Sequence, residues 1–221
     1  MAAVREWWRR LSGGAANPLS AEMHEGVLLI SDISGYTRFL ATNELDHSRL
    51  IIGELLRALV GATQQPLTVS KLEGDAVFVF SYRDAGLAPG ALRDQTLTLL
   101  REFARAQVRL SATLGCPCGA CTNVTSLGLK FLAHYGRFAL LPVGPFTELM
   151  GIDVVLVHRL LKNGVPSRNY ALFTAALLDR DPELRAMPGL IESVESYEDV
   201  GPITVGYLDL TDERERLLQV Q

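Results

Sequence analysis

The sequence predicts an α+β protein with a ferredoxin-like β-α-β-β-α-β core and extra strands. Two short apolar runs, residues 26–30 and 76–80, are typical of buried strands. Two amphipathic stretches, from residue 46 to 61 and from 92 to 113, carry apolar residues at helical spacing. One stretch lies between the two apolar runs and the other follows them, which is the order that this core requires.

The elements of the first half are bounded by residues that interrupt each pattern. Pro66 blocks continuation of the first long helix, and Glu73-Gly74 forms a tight turn between two strands. The predicted elements, in chain order, are a strand over 26–31, helices over 36–43 and from 46 to 61, strands over 67–72 and 76–81, and a helix over 92–113.

The second half is predicted in the same way. Tyr135-Gly136 and Gly201-Pro202 are interpreted as hairpin turns, and the run Gly164-Val165-Pro166 ends a helix. The predicted elements are strands over 127–134 and 138–143, a helix over 151–163, a strand over 170–174, a short helix over 175–179, and strands over 191–200 and 203–210. Residues 213–221 are expected to be a charged, solvated C-terminal tail.

Composition limits the function classes. The chain has 221 residues, of which 48% are hydrophobic and 21% charged, with a formal charge of −4. These values are typical of a globular protein with a sizeable core and argue against a dedicated nucleic-acid binder. The chain lacks a signal-peptide pattern and an apolar run of about 18 to 20 residues, and its three cysteines are too few and too close for a disulfide framework. We therefore expect a cytoplasmic location.

Residues 1–20 are expected to be an N-terminal tail and linker. Residues 4–11 place two tryptophans beside three arginines, and a Gly/Ala/Pro-containing linker follows at 13–18. Such a segment can rest on a membrane surface or a partner, or its apolar side can pack back on the domain. Packing of the apolar side back on the domain is the favoured interpretation, because the segment is short. The single domain is then expected over residues 21–212.

Two aspartates organise the predicted site. Asp32 ends the first strand and Asp75 begins the third. In a ferredoxin-like core these two strands are antiparallel neighbours, so the two carboxylates are expected to lie side by side. Each aspartate alone is better explained as a helix cap or a turn residue. Together, at matched strand ends, they are better explained as a site.

Paired carboxylates repel each other unless a cation lies between them. Magnesium suits such oxygen ligands and leaves coordination positions for substrate phosphates. The carbonyl of Ile33 is a further candidate ligand, and the turn of Gly35, Tyr36 and Thr37 at the start of a helix favours phosphate. These residues predict a site for a nucleoside triphosphate or a similar ligand.

Four segments resemble the class III nucleotide cyclases, and they keep the order and spacing of that family from about residue 26 to 210. They resemble, in turn, its metal-binding aspartate signature, its Lys-x-x-Gly-Asp hairpin, its strand ending in His-x-Gly, and its late helix ending in Arg-Leu. The segments are residues 30–37, 71–75, 129–136 and 151–160. A closer resemblance, carried by the cysteine cluster and residues 157–163, is to a bacterial family of cyclase-like proteins described as a domain of unknown function.

The resemblance implies a ferredoxin-like fold of the nucleotide cyclase type, working as a homodimer with its sites at the interface. It implies that Asp32, Asp75 and the Ile33 carbonyl hold two Mg²⁺ or Mn²⁺ ions, and that the backbone of the Gly35–Thr37 turn meets the terminal phosphates. It further assigns three roles on the partner subunit. Lys71 and Glu148 would contact the base, with ATP favoured, and Arg159 would stabilise the transition state. Lys71 gains this role only if Glu148 approaches it across the dimer.

One position departs from the family pattern. Val155 stands where the family has an asparagine that positions the ribose, and an apolar side chain cannot form that hydrogen bond. Loss of one orienting contact commonly costs on the order of 100-fold in rate. The sequence therefore leaves three hypotheses: an active cyclase, a degenerate cyclase-homology domain that binds nucleotide or signals without chemistry, and a purely structural dimerisation module.

Cys116, Cys118 and Cys121 form a Cys-x-Cys-x-x-Cys pattern. A structural zinc needs four ligands, so a fourth must come from elsewhere, with Asp84, His134 or a second chain as candidates. The alternative is a loop of reduced thiols, and it is favoured. His134 is expected in the core or at an interface, His158 is expected to be structural, and His47 is expected on a helix surface.

Overall fold

The computed structural model describes residues 22–219, so the expectations for residues 1–20 lie outside it. One eight-stranded sheet with helices on both faces accounts for most of the chain. Its strands are β1 (Met23–Ser34), β2 (Thr68–Glu73), β3 (Ala76–Phe80), β4 (Gly128–Val143), β5 (Phe146–Met150), β6 (Tyr170–Thr174), β7 (Ile191–Tyr197) and β8 (Gly201–Asp209). The helices are α1 (Tyr36–Thr42), α2 (Leu45–Ala62), α3 (Ala91–Thr113), α4 (Gly119–Thr122), α5 (Ile152–Arg159), α6 (Ala175–Leu178), α7 (Pro182–Arg185) and α8 (Thr211–Gln219).

The strand order β2-β3-β1-β4 confirms the ferredoxin-like core, and β6, β8 and β7 extend the sheet beyond β4. β1 is antiparallel to both of its neighbours, and β4 pairs with β6 in parallel. The register between β1 and β3 places Asp32 opposite Ala76, the residue after Asp75. The end of β1 therefore lies beside the start of β3, as the sequence predicted.

Both faces of β1 are buried, which explains why its apolar run is continuous rather than alternating. Val27 and Leu29 join the larger core under α2 and α3. Leu28 and Ile30 point to the opposite face and pack in a second core with residues of α5. The site at the end of β1 is thus held by a strand that is fixed from both sides.

The predicted hairpin around Tyr135-Gly136 is wrong, because β4 runs unbroken through both residues. Gly136 is paired with Gly26 of β1. A Cβ on Gly136 would come within 2.4 Å of the Asp153 side chain, so the glycine admits α5 rather than turning the chain. The true hairpin joins β4 to β5 at Gly144, which has a φ of +59°.

The C-terminal residues were also misjudged, since Thr211–Gln219 forms helix α8 instead of a solvated tail. Arg214 of this helix is buried and donates hydrogen bonds to the Gln107 side chain and to the Thr125 and Leu127 carbonyls. These bonds tie α8 to α3 and to the start of β4. Within residues 22–219, no helix is long and apolar enough to span a membrane.

Candidate functional site

Asp32 and Asp75 line one open pocket at the end of β1. The Ile33 amide donates a hydrogen bond of 3.2 Å to the Asp75 carbonyl, which fixes the two strand ends against each other. The same pocket is lined by Ile33, Gly35, Tyr36 and Thr37, so all six residues predicted for metal and phosphate binding meet there. Its wall is completed by Ser34, Arg38, Lys130, Leu161, Asn163, Ser167, Arg168 and Tyr170, and we call this region the carboxylate pocket.

Asp75 lies in a part of the carboxylate pocket where negative charge is not fully offset by positive charge. Burial, and after it the negative charge of Asp32, raises the pKa of Asp75 to about 6. Lys130 Nζ lies 3.0 Å from Asp32 Oδ2 and offsets part of the charge of that carboxylate. A half-buried carboxylate that resists ionisation beside another carboxylate is a place where a bound cation would be stabilised.

Lys130 was missed as a site residue although it lies inside one of the quoted motifs. It is directly opposite Asp32 in the pairing of β1 with β4. Its ammonium also lies 3.5 Å from the Leu161 carbonyl, in the 3₁₀ turn that follows α5. The pairing register of β1 with β4 would have identified Lys130, but the sequence pattern does not determine that register.

Arg168 is a second site residue that the sequence did not predict, and its guanidinium lies against the turn that precedes α1. Gly35 has a φ of +90°, which favours glycine, and a Cβ there would lie 2.0 Å from the Arg168 guanidinium. Arg168 donates a hydrogen bond of 3.4 Å to the Ser34 carbonyl. Arg168 and Lys130 therefore place two positive charges in the pocket that holds the two aspartates, a mixture suited to an anionic ligand carried with a metal.

Lys71 and Glu148 form an ion pair within one chain, with Nζ 2.5 Å from Oε2. The two residues meet within one subunit because β5 folds back against β2, so their contact does not itself depend on a dimer. The hydrogen bond to Glu148 raises the pKa of Lys71 above its ordinary value. Lys71 also lies 3.2 Å from Glu73, whose other oxygen is 2.8 Å from His158 Nε2.

These contacts connect the Lys71–Glu148 pair to helix α5. Val155, His158 and Arg159 line a shallow depression on α5, and Val155 is 45% exposed. The Arg159 side chain is 47% exposed, and its guanidinium contacts Asp199 at 3.4 Å. We call Lys71, Glu148, Val155, His158 and Arg159 together the α5 surface. None of these five residues is among the described residues that line the carboxylate pocket.

The cysteines have a fourth potential ligand that was not considered. His47 lies on α2 and is partly exposed, as predicted, and its ring also lies among Cys116, Cys118 and Cys121. Asp84 and His134 do not belong to this cluster. His134 is buried in the core, where its Nδ1 lies 2.8 Å from the Thr174 hydroxyl and its Nε2 lies 3.2 Å from Asp153.

Sequence comparison relates the chain to proteins of unknown function. A family model described as "Protein of unknown function (DUF2652)" matches residues 52–170. The uncharacterized protein Rv2561/Rv2562 of Mycobacterium tuberculosis is 31% identical over 162 residues, which cover 72% of this chain and 73% of that protein.

Structure comparison finds adenylyl and guanylyl cyclases. A bacterial light-regulated adenylyl cyclase is 14% identical and has a TM-score of 0.61, over 90% of this chain and 98% of that one. The adenylyl cyclase CyaB from P. aeruginosa is 13% identical with a TM-score of 0.58, over 85% and 95% of the two chains. The guanylyl cyclase Cya2 is 14% identical with a TM-score of 0.56, over 85% and 92%. At these identities the likeness establishes the fold, which is that of nucleotide cyclase domains.

Proposed function

The chain belongs to the DUF2652 family of proteins of unknown function, and we propose that it binds a metal–nucleoside triphosphate between two copies of itself and forms a cyclic nucleotide. The observation that carries the proposal is the carboxylate pocket. Asp32 and Asp75 meet there at the end of β1, beside Lys130, Arg168 and the Gly35 turn. The proposal is further supported by the fold, which this chain shares with adenylyl and guanylyl cyclases.

The residues of the carboxylate pocket fit a divalent cation. Asp32, Asp75 and the Ile33 carbonyl offer hard oxygen ligands, which Mg²⁺ and Mn²⁺ prefer. The pKa of Asp75, raised to about 6 by burial and by Asp32, indicates a carboxylate that lacks sufficient positive charge nearby. When bound there, two such ions would activate the ribose 3′-hydroxyl and offset charge on the α-phosphate.

The cationic side chains of the same pocket would hold the polyphosphate. Lys130 and Arg168 both line the pocket that contains the Gly35 turn, and they present an ammonium and a guanidinium to it. Gly35 has no side chain, which leaves room for the Arg168 guanidinium over the turn where the ligand would lie. The terminal phosphates would therefore lie against Gly35, Tyr36 and Thr37, with their charge offset by Lys130 and Arg168.

The α5 surface would supply the other half of the site from a second copy of the chain. Lys71 and Glu148 present a donor and an acceptor side by side, the combination that an adenine edge requires. Arg159 is exposed, and its contact with Asp199 is an exposed ion pair of small net energy, so substrate phosphate can replace Asp199. Both groups lie outside the carboxylate pocket of their own chain, which is why the proposal requires a homodimer.

The proposed reaction is an intramolecular displacement. The ribose 3′-oxygen forms a bond to the α-phosphorus, the bond from that phosphorus to the bridging oxygen breaks, and pyrophosphate leaves. The hydroxyl proton passes to solvent. Arg159 would stabilise charge on the transferring phosphoryl group, and Lys130 would stabilise charge on the departing pyrophosphate. ATP is the favoured substrate because of the Lys71–Glu148 pair.

A second candidate function is nucleotide binding without turnover, and Val155 is the observation that favours it. Its side chain is 45% exposed on the α5 surface and offers no hydrogen bond to a ribose. The carboxylate pocket can bind a metal and a polyphosphate without Val155, because the residue belongs to the other surface. Binding and turnover are therefore separable in this protein.

Incubating the purified chain with ATP or GTP and Mn²⁺, and measuring cyclic product by mass spectrometry, tests the proposal. We expect cyclic AMP from the wild type and none from Asp32→Asn. Asp84→Asn, which changes an exposed aspartate outside the pocket, should behave as wild type. Nucleotide-dependent thermal stabilisation without product would leave only the second candidate, and absence of both product and stabilisation would contradict both.

A further inference from the structure

We propose that His47, Cys116, Cys118 and Cys121 bind one structural zinc ion. The imidazole nitrogen of His47 and the three sulfurs all lie within 4.8 Å of one another. Three thiolates and one imidazole are a ligand set that zinc prefers and that Mg²⁺ and Ca²⁺ do not. The site is separate from the carboxylate pocket and does not depend on the nucleotide proposal.

The spacing of the ligand atoms suits a tetrahedral ion. Zinc bonds of about 2.1 Å to nitrogen and 2.3 Å to sulfur place neighbouring ligand atoms about 3.6–3.8 Å apart. His47 Nδ1 lies 3.1 Å from Cys118 Sγ and 3.4 Å from Cys121 Sγ. Small side-chain rotations would bring these atoms to the tetrahedral distance.

The backbone around the cysteines is shaped to bring them to His47. Gly115 turns the chain at the end of α3 with a φ of +50°, and Cys118 precedes α4, which carries Cys121. A Cβ on Gly119 would lie 2.4 Å from the Asn43 amide oxygen, so this glycine allows the loop to dock on the junction between α1 and α2. The Ala120 amide donates to Glu44 at 3.4 Å and holds the loop there.

Cys116, Cys118 and Cys121 are free thiols, and an odd number of thiols cannot all be paired within one chain. Cys121 is buried, whereas His47, Cys116 and Cys118 are partly exposed, so an ion can reach the cluster from solvent. Because four protein ligands leave no open coordination position, the ion would be structural rather than catalytic. It would link the α3–β4 connection to the first turn of α2.

The test begins with the metal content of the full chain, produced in medium supplied with zinc. We expect about one zinc per chain by elemental analysis, released when a thiol reagent modifies the cysteines. Replacement by Co²⁺ should give the visible absorption of a tetrahedral cobalt–thiolate site. Because both measurements use the wild type, they do not depend on the folding of any variant.

Variants then identify the ligands. His47→Ala and Cys118→Ser should lower the zinc content from about one to below about 0.2 per chain, whereas His47→Cys should retain zinc in an all-thiolate site. His24→Ala is the matched control, since it removes a histidine outside the cluster and should keep the metal. A wild type that contains no zinc and cannot bind Co²⁺, or a His47→Ala variant that keeps its full zinc content, would overturn the proposal.

Discussion

The carboxylate pocket and the α5 surface are built from different parts of the fold and differ in exposure. Asp32 and Lys130 of the pocket have side chains only 15% and 19% exposed, and they lie on the central strands β1 and β4. Lys71, Glu148 and Arg159 of the α5 surface have side chains 36%, 42% and 47% exposed, and they lie on β2, β5 and α5. The pocket is therefore held in place by the core, whereas the surface consists of side chains that solvent can reach.

The ion pairs in the two regions differ in the same way. In the pocket, Lys130 offsets the charge of Asp32, yet the pKa of Asp75 stays raised, so a cation is still favoured. On the α5 surface, Lys71 already pairs with Glu148 and Arg159 with Asp199. In the proposed dimer, this difference corresponds to a pocket that would bind metal and phosphate within one chain and an α5 surface that would bind nucleotide only against a second chain.

The largest expected effect is loss of the metal ligands. Asp75→Asn should lower the rate of cyclic nucleotide formation by at least about 1,000-fold, because it removes one of two carboxylates that would hold the ions. It should also abolish the thermal stabilisation of the protein by Mn²⁺, as measured by differential scanning fluorimetry. Asp84→Asn serves as the control. Unchanged Mn²⁺ stabilisation in Asp75→Asn would place the metal outside the carboxylate pocket.

The next effect is on the α5 surface. Arg159→Ala should lower kcat about 100-fold, because it removes the guanidinium that would stabilise negative charge on the phosphoryl group in the transition state. Stabilisation by Mn²⁺ alone should stay at the wild-type value, because Arg159 lies outside the carboxylate pocket. Lys162→Ala removes a neighbouring cation of the same depression and should change kcat little. Equal losses in both variants would mean that Arg159 acts only through general surface charge.

Val155→Asn should raise kcat by about 10-fold, because it restores an amide that can orient the ribose. Residue 155 is exposed, so the polar side chain enters without a large cost in folding free energy. Steady-state kinetics would show the gain, and Val155→Ala should show none. A Val155→Asn variant no faster than wild type would show that the ribose is positioned by other groups.

The smallest effect concerns the base. Lys71→Met should lower kcat/KM for ATP about fivefold, the equivalent of one hydrogen bond, and should reduce the preference for ATP over GTP. Competition between the two nucleotides, followed by mass spectrometry of the products, would measure this ratio. If Lys71→Met leaves the ratio unchanged, the Lys71–Glu148 pair is an ion pair of structural importance only.

The β2-β3-β1-β4 core and the position of Asp32 beside Asp75 were predictable, because that strand order places the end of β1 beside the start of β3. Lys130 and Arg168 were not, since they reach the pocket through the register of β4 and the segment after α5, neither of which leaves a local pattern. His47 was missed because it lies far from the cysteines in the chain. The turn predicted at Gly136 was wrong because glycine occurs both in turns and at sites of close packing, and only the position of Asp153 distinguishes the two.

The central claim is that each site combines the carboxylate pocket of one chain with the α5 surface of another, and mixing two inactive variants tests it most directly. Asp32→Asn lacks only the first half and Arg159→Ala only the second. Random reassortment gives half heterodimers with one intact site each, so the mixture should regain about a quarter of the wild-type activity. A mixture that forms heterodimers yet stays as inactive as its components would contradict the account.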